Sequence, residues 1–197
     1  MMAERGLNLT YESIRYGCLK FGHVYAKQMK KRKVLGDTWY LDEVFCRING
    51  KVHYLWRAVD QEGQVLDVLV QRKRNKHAAN RFFQKLKRQG ASPRKIVTDK
   101  LASYRSACKT HYPLTSHITD KWANNRAENS HPMTRVRERK MKKFKSMTQA
   151  QRFLSAMGEI YDHFQMNRHQ TTAKVYRILL NQSLLLWRTI AQNPLSA

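Results

Sequence analysis

The chain has 197 residues, room for one or two domains with a buried core, and its 42% hydrophobic and 10% aromatic content excludes a wholly disordered protein. Lys and Arg number 38 against 14 Asp and Glu, a net charge of +24 spread along nearly the whole chain, which opposes compaction and points to a polyanionic partner, nucleic acid ahead of an anionic membrane surface. Cys18, Cys46 and Cys108 are too far apart for a zinc ribbon or a disulfide framework, no apolar run is long enough to span a membrane, and the segment from Met1 to Gly6 is no signal peptide, so a cytoplasmic, nucleoid-associated protein is expected.

Helical spacing of Tyr11, Ile14, Cys18 and Phe21, with Thr10 as a cap, predicts a helix from Leu9 to Tyr25. A basic linker, Lys27 to Lys33, follows and marks a boundary ahead of Gly36. From Thr38 to Arg72 the pattern is β. Asn49-Gly50 is a strong hairpin signal, because both central residues of a type I′ turn need positive φ, and Asp60 to Gly63 makes a second turn. The result is a three-stranded antiparallel meander. Ala79, Phe82, Phe83 and Leu86 form the apolar stripe of a helix from Asn75 to Gln89, which Gly90 stops. The short Ile96-Val97 strand comes next, so strand, helix and strand in succession predict a crossover and a mixed sheet. A helix from Leu101 to Lys109, a strand at His117 to Thr119, an amphipathic helix from Thr148 to Phe164 and a last helix from Ala173 to Ile190 complete the reading.

Three carboxylates stand out in this cationic chain. Asp42 lies within the first strand, Asp99 ends the Lys95-Ile96-Val97-Thr98 run, and Glu128 follows Asn124-Asn125 in a polar segment that leads into a basic one. Sites in open α/β sheets gather at the carboxyl ends of strands, where Asp99 falls. An unpaired buried charge is costly, a bound cation is one way to offset that cost, and hard divalent ions take carboxylate oxygens. The trio therefore reads as a two-metal phosphodiester site, with two Mg²⁺ ions about 3.5–4 Å apart shared by Asp42 and Asp99 and completed by Glu128. Singly, each acid also fits a plain structural role: a strand-edge ion pair for Asp42, a helix cap for Asp99, and a helix-surface acid for Glu128. Glu43 points to the opposite face of the strand from Asp42 and is the weaker ligand candidate. Asp37, Asp60 and Asp67 are explained by turns and strand exteriors, His131 is a structural donor rather than a ligand, and Trp56 reads as core.

The segments Gly36 to Val44, Val52 to Asp60, Val97 to Leu101 and Asn124 to His131 resemble those of DDE transposases, in particular family six of the bacterial insertion sequences, and the resemblance runs from about Ala3 through the Trp187 region. It implies an RNase H-like α/β domain with a mixed sheet and flanking helices, over residues 34–145. A partial helix-turn-helix and basic linker would precede it in 1–33, and a C-terminal helical region would follow in 146–197. It further implies Mg²⁺ dependence with Mn²⁺ as a substitute, cleavage at transposon ends, transfer of the freed 3′-hydroxyl into target DNA, and action as a homo-oligomer away from membranes.

By position, Asp42, Asp99 and Glu128 correspond to the family's catalytic, metal-holding acids. Arg135 matches its basic residue near the scissile end, with Lys100, Arg126, Arg137, Arg139 and Lys142 as further DNA-binding candidates. Two departures stand against the pattern. The chain begins at what resembles the second half of the family's helix-turn-helix, so a shortened N-terminus is expected. Pro132, four residues after Glu128, predicts a helix that kinks there or begins later. The competing readings are a DNA-binding remnant without turnover and an RNase H-type nuclease.

Overall fold

The computed structural model of the chain describes residues 10–30, 35–120, 136, 144–164 and 171–192. They fall into two compact units, one drawn from Val34–Leu154 and the other from Met1–Lys33 with Ser155–Ala197.

The first unit holds a five-stranded sheet in the order β3-β2-β1-β4-β5. Its strands are β1 (Thr38–Ile48), β2 (Lys51–Asp60), β3 (Val65–Gln71), β4 (Lys95–Thr98) and β5 (Ser116–Thr119). β1, β2 and β3 are antiparallel neighbours, whereas β4 runs parallel to β1 and β5 parallel to β4. The mixed sheet and its flanking helices are RNase H-like, as the resemblance to DDE transposases implied.

Local chemistry explains the elements. Asn49 and Gly50 take φ of 48° and 73°, the left-handed pair that a type I′ turn requires, and Ile48 faces Lys51 across it. At the β2–β3 turn, Asp60 Oδ1 accepts from the backbone N–H groups of Glu62 and Gln64. Helix α2 (Lys76–Lys87) is capped by Asn75, whose side chain accepts from Ala78 N at 3.0 Å, and Gly90 leaves it at φ 77°. It crosses over to β4 and packs with α3 (Ala102–His111).

The period of two along the strands sorts the core onto two faces. Trp39, Leu41, Trp56 and Ala58 face α2 and α3 and meet Phe82, Phe83, Leu86 and Tyr104. Val44, Cys46, Leu55 and Val59 face the other way, onto Phe144 and onto Ala150 and Leu154 of α4 (Met147–Phe164). Trp56 is fully buried, as read from sequence. Asp67 is not a strand exterior. It is buried on β3, where Lys85 Nζ donates to its Oδ1 at 2.7 Å and Gln89 Nε2 to its Oδ2 at 2.8 Å, tying α2 to the sheet.

The second unit contains α1 (Tyr11–Lys30), the part of α4 beyond Leu154, and α5 (Ala173–Gln192). Trp187 of α5 packs against Tyr25 and Phe164, at ring-centroid distances of 5.3 and 5.5 Å. The sequence ended α1 at Tyr25, but the helix runs on to Lys30. Ala26 and Met29 extend its buried stripe past the first residues of the basic stretch. No described helix is long and apolar enough to cross a membrane.

Candidate active site

Parallel pairing of β1 with β4 builds the centre of the site. The matched pairs end at Leu41 with Thr98, so the next residues, Asp42 and Asp99, lie side by side where β4 stops and β1 continues. Oxygens of Asp42, Glu43 and Asp99 all lie within 4.8 Å of one another. Asp99 Oδ1 accepts from Leu101 N at 3.0 Å and its Oδ2 from Arg74 Nη2 at 3.0 Å. Asp42 Oδ1 accepts from Glu43 N at 2.8 Å, and Arg57 stands opposite Asp42 on β2.

Glu43 belongs to this group, although it starts from the opposite face of β1. Among the described residues no named strand pairs with that flank of β1 beyond the Leu41–Thr98 pair, and the next contact is the single bridge of Ile48 to Phe144, so side chains from both faces reach the gap. The Glu43 side chain is only 2% exposed and forms an ion pair with Arg74, through Oε1 and Nε. Tyr104 Oη donates to its Oε2 at 2.5 Å. Burial pushes the Glu43 carboxyl above its ordinary range and the neighbouring Asp99 adds to this, against the Tyr104 bond and the Arg74 charge. Burial opposes the Arg74 cation, yet Glu43 and Asp99 hold its pKa above the ordinary value. Burial together with Glu43 holds the Tyr104 phenol well above its usual range.

Behind Asp99, Thr98 is fully buried, and its Oγ1 donates to Asp99 O at 2.8 Å. That hydroxyl proton being used, His117 donates from Nε2 to Thr98 Oγ1 at 2.9 Å. Lys100 is exposed beside Asp99. Glu128, Arg126, Arg135, Arg137, Arg139 and Lys142, like His131 and Pro132, lie outside the described residues.

The sequence reading missed Arg74 and Tyr104. Arg74 sits among the cations of Arg72-Lys73-Arg74 just before the Asn75 cap, and Tyr104 has the helical position of a core residue, so neither carried a distinguishing signal.

Residues 36–184 match the family model described as a DDE domain, of the IS240 transposase type. The chain belongs to this DDE transposase family. The transposase for insertion sequence-like element IS431mec of Staphylococcus aureus is 29% identical over 174 residues, covering 85% of this chain and 76% of the relative. The transposase for insertion sequence element IS257 in transposon Tn4003, also from Staphylococcus aureus, matches to the same extent. Among solved structures, a chain of the simian T-cell lymphotropic virus intasome, in complex with the PP2A regulatory subunit B56γ, superposes with a TM-score of 0.50 at 12% identity. That match covers 68% of this chain and 51% of the other, and it bears on the fold alone. The insertion-sequence family six assignment expected from the motifs holds. Membership of the DDE family makes the chain a DNA transposase, a metal-dependent polynucleotidyl transferase.

Proposed function

We propose that this DDE transposase cleaves DNA at transposon ends and transfers the freed 3′-hydroxyl into target DNA, with Asp42, Asp99 and Glu128 as its catalytic acids. The observation that carries this reading is the meeting of Asp42 on β1 with Asp99, the residue just past the end of parallel β4, their oxygens within 4.8 Å. Their oxygens are hard donors without a thiol or imidazole among them, a set that fits Mg²⁺ and, in its place, Mn²⁺. Two such ions, when bound, supply an activated nucleophile and neutralise charge on the phosphate under attack.

The chain's own residues prepare that site. Leu101 N and Arg74 fix the Asp99 carboxylate, and the Thr98 hydroxyl bonded to Asp99 O holds its backbone. Glu128, with the longer side chain, completes the ligand set. Arg135 engages the DNA near the scissile end, while Lys100, Arg126, Arg137, Arg139 and Lys142 grip backbone phosphates, consistent with the +24 net charge. The working form is a homo-oligomer that holds paired transposon ends against target DNA.

The test compares Asp42→Asn, Asp99→Asn and Glu128→Gln in strand-transfer and DNA-retention assays on a duplex carrying transposon ends. Each variant is expected to reduce strand transfer to background while retaining DNA affinity. Unchanged transfer would remove that acid from the catalytic set, and loss of binding in step with activity would overturn the separation of cutting from gripping.

A further inference from the structure

Arg74 lies between the last residue of β3, Gln71, and the Asn75 cap of α2, and from there it reaches two carboxylates at once. Its Nε pairs with Glu43, whose side chain is 2% exposed, and its Nη2 donates to Asp99 at 3.0 Å. Glu43 is held on its other oxygen by Tyr104. Glu43 and Asp99 each carry one partner on each oxygen, but the Glu43 side chain is 2% exposed against 28% for Asp99, so Glu43 is closed off on the Arg74 and Tyr104 side while Asp99 opens to an arriving ion. Asp99 keeps lone pairs for an ion, since Arg74 and Leu101 N take one position on each of its oxygens.

We infer that Arg74 is a built-in counter-cation of the acidic cluster: by engaging Glu43 and Asp99 together it keeps Glu43 out of the ligand set and sets how tightly Asp42 and Asp99 hold a divalent ion. Arg74 is thus a positioning residue, acting through the carboxylates rather than on DNA. The inference rests on the metal reading of the site given above. It follows from Coulomb's law over a few ångströms in a partly buried place. Removing the guanidinium makes the cluster more negative by one charge and frees Glu43 to join the ion. Removing the Glu43 charge leaves Arg74 to Asp99 alone, which weakens the hold on the ion. Removing both restores the original balance.

The test titrates the full chain with Mn²⁺ and follows free Mn²⁺ by electron paramagnetic resonance, without DNA. Arg74→Gln is expected to lower the apparent Kd about tenfold, Glu43→Gln to raise it about tenfold, and the double variant to return to within about threefold of the parent chain. Arg74→Lys, which keeps the charge, is expected to stay close to the parent value. In EDTA, the Arg74→Gln protein is expected to melt at a lower temperature than the parent and to gain more from added Mg²⁺. A purely structural role for Arg74 would weaken binding in every variant, and equal or weaker Mn²⁺ binding by folded Arg74→Gln overturns the inference alone. Should Arg74→Gln fail to fold, the double variant decides, because a Kd far from the parent value breaks the charge balance. If the parent chain binds no Mn²⁺, or binds it equally well as Asp42→Asn and Asp99→Asn, the metal reading fails and takes this inference with it.

Discussion

Tyr104 Oη stands 2.5 Å from Glu43 Oε2, joining the first turn of α3 to a carboxylate on β1. Tyr104 is fully buried among Trp56 and Phe83, with ring-centroid distances of 5.3 and 6.3 Å, so its ring is core while its hydroxyl serves the site. The bond couples helix packing to the position of Glu43.

Tyr104→Phe keeps the ring and removes the hydroxyl. The buried Glu43 oxygen then loses its donor, at a cost of about 1–3 kcal/mol. Urea unfolding at neutral pH is expected to show a lower midpoint with an unchanged slope. A midpoint equal to that of the parent chain would mean that the bond contributes nothing to stability.

Asp67 makes a separate contribution at the far end of α2. Asp67→Ala removes one partner each from Lys85 Nζ and Gln89 Nε2, which keep the carbonyl oxygens of Val68 and Leu66. Lys85 is 32% exposed and can turn to water, so the expected loss is about 1–3 kcal/mol rather than the larger cost of a stranded buried charge. Hydrogen exchange is expected to quicken along α2 before β1 and β2, and uniform quickening would contradict a local anchor.

His117 gives the fold a pH dependence of definite sign. Burial, with the Arg105 charge second, holds its pKa below the ordinary 6.5, so the folded protein disfavours the imidazolium. Its contribution to stability is therefore complete above 6.5 and is lost as pH falls through the lower folded-state pKa. His117→Gln is expected to flatten the decline in urea midpoint between about pH 7 and about pH 5. An equally steep decline in the variant would assign the effect to other groups.

Arg135 tests the DNA-binding expectation taken from the family motif. Arg135→Ala is expected to weaken DNA binding and to reduce the slope of log affinity against log salt by about one, the share of one phosphate contact. An identical slope would exclude Arg135 as a phosphate partner.

Much of this arrangement was legible in the residues. Asn49-Gly50 announced the hairpin because few other pairs tolerate that backbone, and the Ala79-Phe82-Phe83-Leu86 stripe announced α2. Strand, helix and strand in succession put β4 parallel beside β1, which carried the pairing of Asp42 with Asp99. What stayed hidden depends on where elements stop. Alternation correctly sent Glu43 to the other face of β1, but it holds no information on the gap beyond Thr98 that lets both faces reach Asp99. Arg74 was one cation among 38 until the fold chose it, and Asp67 was misread because a helix landing on β3 is a tertiary event.

The short contact between β1 and β4 also acts as an alignment key. Sliding β4 by one residue would bring Lys100 alongside Asp42, exchanging a carboxylate for an ammonium and turning the acidic pocket cationic on that side. The same slide would turn Ile96, wholly buried against α2 and α3, toward the opposite face. The greasy side chain that keeps this four-residue strand in frame thereby also guards the electrical sign of the pocket.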